Sequence, residues 1–426
     1  MKKEYKNLSF PKNFLWGSAT SAHQVEGNNK KNHWWAWEQE GGHIADGSVS
    51  GLACDHYNKY KEDIQLLRDL GQQCFRFSIE WSRIEPENGS FDAKEIEHYR
   101  DVLSFLVDNE ITPMVTLHHF TNPMWLQKMG AWENPAIIDL FERYTIYIAE
   151  ELGDLIPFWN TINEPMIVAL VGYLIGVHPP NKRDMPTFAK VSVNLLKSHA
   201  RSYHAIHRTV KRTSRPQVGI VKNLIAFEPF DPTSRKNQQE AKSRDQIFNW
   251  WFLDGIITGK ISPPLGNNEE YPPLKNATDF IGVNYYTRFL IKGGEQISGP
   301  LEKNDMGWEI YPEGLYNLLI GVKNYKKPIY ITENGICTSQ DARRCKFLLQ
   351  HLLSVYRAIQ EGVDIRGYLH WSFMDNFEWA EGFAKRFGLV EINYKTLTRR
   401  AHPSAYCYKD IIQKNKISKE MQEKFL

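Results

Sequence analysis

Short runs of apolar and β-branched residues recur along the chain, separated by stretches in which apolar positions return every three or four residues. The runs predict strands near residues 14–19, 75–81, 113–118, 158–162, 218–226, 280–285, 329–332 and 367–373. Between them, Ile64, Leu67 and Leu70 fall on one face of a helix, and the same spacing runs through 101–106, 137–152, 191–210 and 347–359. Strands that alternate with helices pair in parallel, because a parallel neighbour is reached only through a crossover, and that crossover is right-handed. Eight such units predict an α/β fold, a closed (β/α)8 TIM barrel with elaborated βα loops, rather than an open doubly wound sheet.

No composition shift marks a linker, so residues 1–426 are expected to form one catalytic domain. The Pro/Gly/Asn-rich stretch 262–273 and the segment 292–304 look like loop insertions, since the periodic pattern resumes after each. The charged tail, 414–426, is expected to fray.

Composition narrows the function by exclusion. Fifty-two basic and 50 acidic residues leave a net charge of +2, which gives no electrostatic case for a nucleic-acid or anionic-membrane partner. The five cysteines, Cys54, Cys74, Cys337, Cys345 and Cys407, are scattered and odd in number, as expected for free thiols in a reducing compartment. The basic start is not followed by an apolar signal core, and no apolar run approaches the ~20 residues that span a bilayer. The expectation is a soluble cytoplasmic protein. Aromatic residues make up 13% of the chain, which suits either a large core or the stacking of sugar rings.

Barrel enzymes carry their chemistry at the C-terminal ends of strands. Two predicted strands end abruptly in an acid: Glu164, in Asn163-Glu164-Pro165, and Glu333, in Thr332-Glu333-Asn334-Gly335. One such glutamate would be unremarkable as a solvated strand cap. Two, each beside an asparagine and three strands apart, suggest a catalytic pair.

These motifs stand in order with Phe14-Leu15-Trp16-Gly17-Ser18-Ala19-Thr20, Phe75-Arg76-Phe77-Ser78-Ile79, Trp371-Ser372-Phe373-Met374-Asp375-Asn376-Phe377-Glu378-Trp379 and Arg386-Phe387-Gly388-Leu389. Together they resemble glycoside hydrolase family 1 from about residue 10 to residue 408. The resemblance implies a retaining β-glycosidase of the β-glucosidase type, with side activity on β-galactosides and β-fucosides. It implies Glu333 as nucleophile and Glu164 as general acid/base, on a small-molecule β-glycoside, with no cofactor and no metal. In that chemistry one carboxylate attacks the anomeric carbon while the other, protonated, assists the departing oxygen. Arg76 resembles the arginine that holds the nucleophile as an anion, and that charge should raise the pKa of Glu164. Asn284 and Tyr286 resemble residues that support the nucleophile.

The same resemblance assigns sugar contacts to Gln24, His119, Asn163, Glu378 and Trp379, a floor to Trp371, a wall to Phe387 and an aglycone entrance to Trp308. Each alone would more often be a satisfied core or rim residue. Trp34, Trp35 and Trp37 form a further cluster, expected either at the rim or in packing. The run His118-His119-Phe120-Thr121-Asn122-Pro123 departs from the family pattern, since Phe120 stands where many members carry tryptophan. Adjacent strand residues face opposite ways, so His118 and His119 are poorly placed to share a metal.

Three other readings compete. A 6-phospho-β-glycosidase would carry serine in place of Glu378 and tyrosine in place of Phe387, and only Lys385 matches that pattern. A non-catalytic glycan-binding member would usually lack one of the glutamates. A transglycosylase would use the same covalent intermediate with a sugar acceptor.

Overall fold

The computed structural model describes residues 5–426; the basic start read above lies partly outside them. Eight parallel strands close into a barrel: β1 (Leu15–Ala19), β2 (Cys74–Ser78), β3 (Thr112–His118), β4 (Phe158–Asn163), β5 (Gln217–Pro229), β6 (Phe280–Lys292), β7 (Ile329–Asn334) and β8 (Ile365–Trp371). Each pairs in parallel with the next, and β8 returns to β1. Every strand overlaps one predicted from the apolar runs. These strands are buried on both faces, one against the barrel interior and one against the helices, so they read as continuous apolar segments.

The helices follow from their spacing. In Ile137–Leu152 the buried side chains include Ile137, Phe141, Tyr144, Ile148 and Leu152, a stripe that returns every three or four residues and lies against the barrel. The helix stops at Gly153, where an added Cβ would meet the Ala149 carbonyl oxygen at 2.3 Å. Inside the barrel, Cys74, Met114, Phe280, Tyr330 and Leu369 pack together with Leu15 and Phe158. Most of these sit at or near the strands' N-terminal ends, so this cluster closes one end of the barrel and leaves the C-terminal end for chemistry.

Two expectations change. β5 and β6 outrun their predicted ends and continue as a pair, with Ala226 opposite Arg288 and Pro229 opposite Ile291. β6 then turns through Gly293 and Gly294 into a short antiparallel return at Glu295–Ile297, inside the segment expected to be loop. The segment 262–273 likewise carries part of a small ribbon, Lys260–Ile261 against Glu269–Glu270. The charged tail does not fray. Lys416–Ile417 pairs with Leu8–Ser9, and the helix Lys419–Phe425 buries Met421 and Gln422. Its charges lie on the outer face, and sequence charge alone did not reveal the buried one.

Candidate active site

Glu164 and Glu333 leave the barrel where the ladder breaks. The β4–β5 register shifts between Asn160 and Asn163, and the β7–β6 register shifts between Ile331 and Glu333. Such irregularities re-aim a side chain at the end of a strand. Glu164 also takes a left-handed backbone, φ 48°, immediately before the helix Pro165–Leu170. Phe120 at φ 71° and Trp379 at φ 49° share that conformation and line the same cavity. Each non-glycine residue held there costs on the order of 1–3 kcal/mol, and such strain concentrates at functional sites.

One cavity of about 500 Å3 opens at the C-terminal end of the barrel. Its lining includes Glu164, Glu333, Asn163, His119, Tyr286, Trp371, Glu378, Trp379, Phe387 and Trp308. The structure therefore gathers ten of the thirteen residues singled out in the sequence onto one surface. Arg76, Asn284 and Gln24 stand behind it, each fully buried.

A chain of hydrogen bonds connects the two carboxyls. Arg76 Nη1 donates to Glu333 Oε1, and Arg76 Nη2 donates to Asn163 Oδ1 at 2.7 Å. Asn284 Nδ2 donates to the same Asn163 oxygen at 3.2 Å and to Glu164 Oε1 at 2.7 Å. Thr332 Oγ1 donates to Asn284 Oδ1 at 2.7 Å and so fixes the orientation of that amide. Glu333 Oε2 accepts from Tyr286 Oη at 2.7 Å. Glu333 thus meets a cation on one oxygen and a hydroxyl on the other, and the bond from the guanidinium is charge-assisted. Glu164 has a different environment. Burial first, then the charge of Glu333, push its carboxyl up to about 7, against hydrogen bonds from Asn284 and Asn223. Two carboxyls in one pocket thus occupy contrasting settings, the signature of an acid–base division of labour.

The far wall suits a polar ring. His119 lies between Trp371 and Trp379, with ring centroids 6.0 Å from each and near-parallel planes. Its Nε2 faces Asn163 Nδ2 at 3.2 Å and must accept there, which leaves the Nδ1 proton without a partner. His118 points the other way, to Asn122 Oδ1 at 3.0 Å. Glu378 is pushed up to about 8 by burial and by the charges of Glu333 and Glu164. Trp379 is backed by Trp34, centroids 4.7 Å apart, so one of the three clustered tryptophans supports the pocket from inside. Trp35 and Trp37 are half-buried and outside the lining.

Gln24 differs from its expected place. Its amide nitrogen donates to Asn376 Oδ1 and the Phe377 carbonyl, both at 2.9 Å, and reaches Glu378 at 3.4 Å, while its oxygen accepts from Ser21. It braces the loop that carries Glu378. Gly335 explains the third position of Glu333-Asn334-Gly335: a Cβ there would sit 1.7 Å from the carbonyl oxygen of Trp371.

Two polar neighbours of Glu164 escaped sequence reasoning. Asn223 Nδ2 donates to Glu164 Oε1 at 3.1 Å. Lys222 is fully buried, donates to the Asn223 carbonyl and lies 4.3 Å from the centroid of the Phe248 ring. Burial lowers its ammonium to about 7, opposed by the charge of Glu164. The only signal was a lysine and an asparagine inside an otherwise apolar strand.

Known proteins match the chain along nearly its whole length. The sequence model of glycosyl hydrolase family 1 matches residues 6–417. Beta-glucosidase A of Acetivibrio thermocellus is 36% identical over 96% of this chain and 99% of its own length. The family 1 β-glucosidase from Thermotoga maritima matches with a TM-score of 0.92 at 36% identity, covering 96% of this chain and 99% of that one. A β-glycosidase from Pyrococcus horikoshii matches with a TM-score of 0.91 at 42% identity, covering 98% of both chains. Such similarity along nearly the whole chain has one meaning: the chain belongs to glycosyl hydrolase family 1.

Proposed function

We propose that this chain is a retaining β-glycosidase that removes terminal non-reducing β-D-glucosyl residues, with lesser action on β-galactosides and β-fucosides, by double displacement through a covalent glycosyl-enzyme. The observation that carries the reading is the pair of carboxyls on one cavity wall, one held by Arg76 and Tyr286, the other raised to about 7. Glu333 attacks the anomeric carbon as the glycosidic oxygen takes the Glu164 proton. Esterification removes the Glu333 charge that helped raise Glu164, so Glu164 then accepts a proton from the incoming water. Asn163, held by Arg76 and Asn284, faces the sugar hydroxyl next to the reacting carbon. His119, Glu378 and Trp379 bind the other hydroxyls, and Trp371 forms the floor.

A neutral sugar fits better than a 6-phosphate. Glu378 contributes an acidic oxygen to the pocket, and Phe387 offers no hydroxyl. Lys385, the one residue shared with the phosphate-binding pattern, donates to the Asp305 carbonyl at 2.6 Å and is absent from the lining. Nitrophenyl β-glucoside is expected to exceed its 6-phosphate in kcat/KM by about 10²-fold or more, since no lysine or arginine among the described residues lines the cavity and burying an unpaired dianion costs several kcal/mol. Preference for the phosphate would reverse the assignment. Failure to release nitrophenol from any β-glycoside would favour a glycan-binding member, and dominance of transfer products at high acceptor concentration a transglycosylase.

The reading places the enzyme in the cytoplasm as a catalyst of small-molecule glycosides, without nucleic-acid or membrane partners. No helix among the described residues is long and apolar enough to cross a membrane, and the five cysteines are free.

Lys222 tunes the acid. Its charge lowers Glu164, so Lys222→Met is expected to move the alkaline limb of kcat/KM to higher pH. A second readout follows from linkage. With the folded lysine at about 7 and its ordinary value at 10.5, the folded protein holds fewer protons than the unfolded chain between those values. The destabilisation is full below about pH 7 and fades as pH rises towards 10.5. The methionine variant should therefore melt higher than the parent near pH 6, by a margin that narrows towards pH 10. A lower Tm with an unmoved pH profile would count against both.

A further inference from the structure

Glu164 stands beside the departing oxygen, so the wall that continues past it receives whatever leaves. That wall is hydrocarbon. Ile167 and Leu170 come from the helix that Glu164 itself begins, Val171 and Ile175 from the widened turn Val171–Ile175, Val177 from the residues after it, and Ile225 from β5. A second sugar would need hydroxyl partners here, and this wall offers few: Asn223 Oδ1 is without a partner and His178 and Gln296 also line the cavity, but aliphatic side chains outnumber them. Asn223 donates to Glu164, and Thr287 Oγ1 donates to the Glu309 carbonyl at 2.9 Å. The apolar surface does not stop at the rim. Ile175 is 45% exposed and Val177 is 50% exposed, so two aliphatic side chains stand in solvent at the outer lip of the same cavity. Single exposed apolar residues are ordinary, whereas a pair continuous with a pocket wall marks a binding surface.

We propose that the leaving group this enzyme is built for is an acyclic hydrocarbon alcohol, so that its preferred substrates are alkyl or isoprenoid β-glycosides rather than β-linked oligosaccharides. The inference rests on the β-glycosidase reading and specifies what lies on the far side of the scissile bond. A flexible chain running from Glu164 along Leu170 and Val171 to the Ile175–Val177 lip exchanges water for aliphatic contact along its length. Trp308, on the same cavity, would cover it from another side.

The test is a series of n-alkyl β-glucosides from ethyl to octyl, compared with cellobiose by kcat/KM. Straight-chain primary alcohols have nearly the same acidity, so the series holds leaving-group chemistry constant and varies burial alone. The expected result is a rise of about two- to fourfold per methylene until the chain clears the lip, and octyl glucoside above cellobiose. Ile175→Asn, at a half-exposed position where folding is not at stake, is expected to lower the octyl-to-ethyl ratio by roughly threefold or more. A flat series, a ratio unmoved by Ile175→Asn, or cellobiose preferred to octyl glucoside overturns the inference. Nitrophenyl β-glucoside separates the two levels: if it is cleaved while the series is flat, only the leaving-group assignment falls; if it is not cleaved, the β-glycosidase reading falls as well.

Discussion

Glu333→Ala is expected to lower kcat on aryl β-glucosides by a factor on the order of 10⁵–10⁶, the scale on which loss of a covalent nucleophile acts. The substitution removes the carboxylate that accepts from Arg76 and Tyr286, and leaves both donors facing an empty position. Azide fits that vacancy as a small anion beside the Arg76 guanidinium. It should restore turnover and yield the α-glycosyl azide, because it attacks from the face that Glu333 occupied. Proton NMR of the product anomeric centre reads this directly. A folded variant that keeps near-parental activity, or an azide product of β configuration, would mean that the nucleophile lies elsewhere.

The second large effect belongs to Glu164. Glu164→Ala should cost about 10²–10⁴-fold on alkyl glucosides, whose leaving groups need a proton, and much less in the first step with dinitrophenyl glucoside, whose leaving group does not. Because the carboxyl sits at about 7 and must be protonated to act, kcat/KM of the parent should fall as pH rises through that value, and this limb should vanish in the variant. Glu378, at about 8, provides the internal control. A limb that persists in Glu164→Ala, moved to lower pH because the Glu164 charge that helped raise Glu378 is gone, assigns the titration to Glu378. Equal losses on both substrate types would remove Glu164 from the acid role.

Both side chains were legible in the sequence because the barrel simplifies its own reading. A parallel strand buried on two faces has to be apolar almost throughout, so an acid at its end stands out, and the fold leaves that end at the open mouth. The same logic failed where the burial changed. Beyond its predicted end, β5 continues as Phe227, Glu228 and Pro229, a mixture that no longer announces a strand, and β6 behaves likewise from Tyr286 onward. Those extensions pair with each other and with the short return at Glu295–Ile297, so pattern along one strand could not reveal them. Gln24 was placed against the sugar, yet its amide groups are met by Ser21, Asn376, Phe377 and Glu378, partners up to 354 residues away in sequence. Lys222 was invisible for the opposite reason. A lysine within a strand reads as a solvent-facing position, and nothing local says that a neighbouring acid and an aromatic ring will keep it company in the interior.

The contact at Gly335 ties two tasks into one piece. β7 carries Glu333 and β8 ends in Trp371, and where they meet there is no room for even a methyl group. Glu333 and Trp371, the proposed nucleophile and sugar floor, therefore cannot slide past each other. On the proposed mechanism, attempts to broaden substrate range can resculpt the outer mouth, residue by residue, while this seam holds the reacting carbon and its attacker in register.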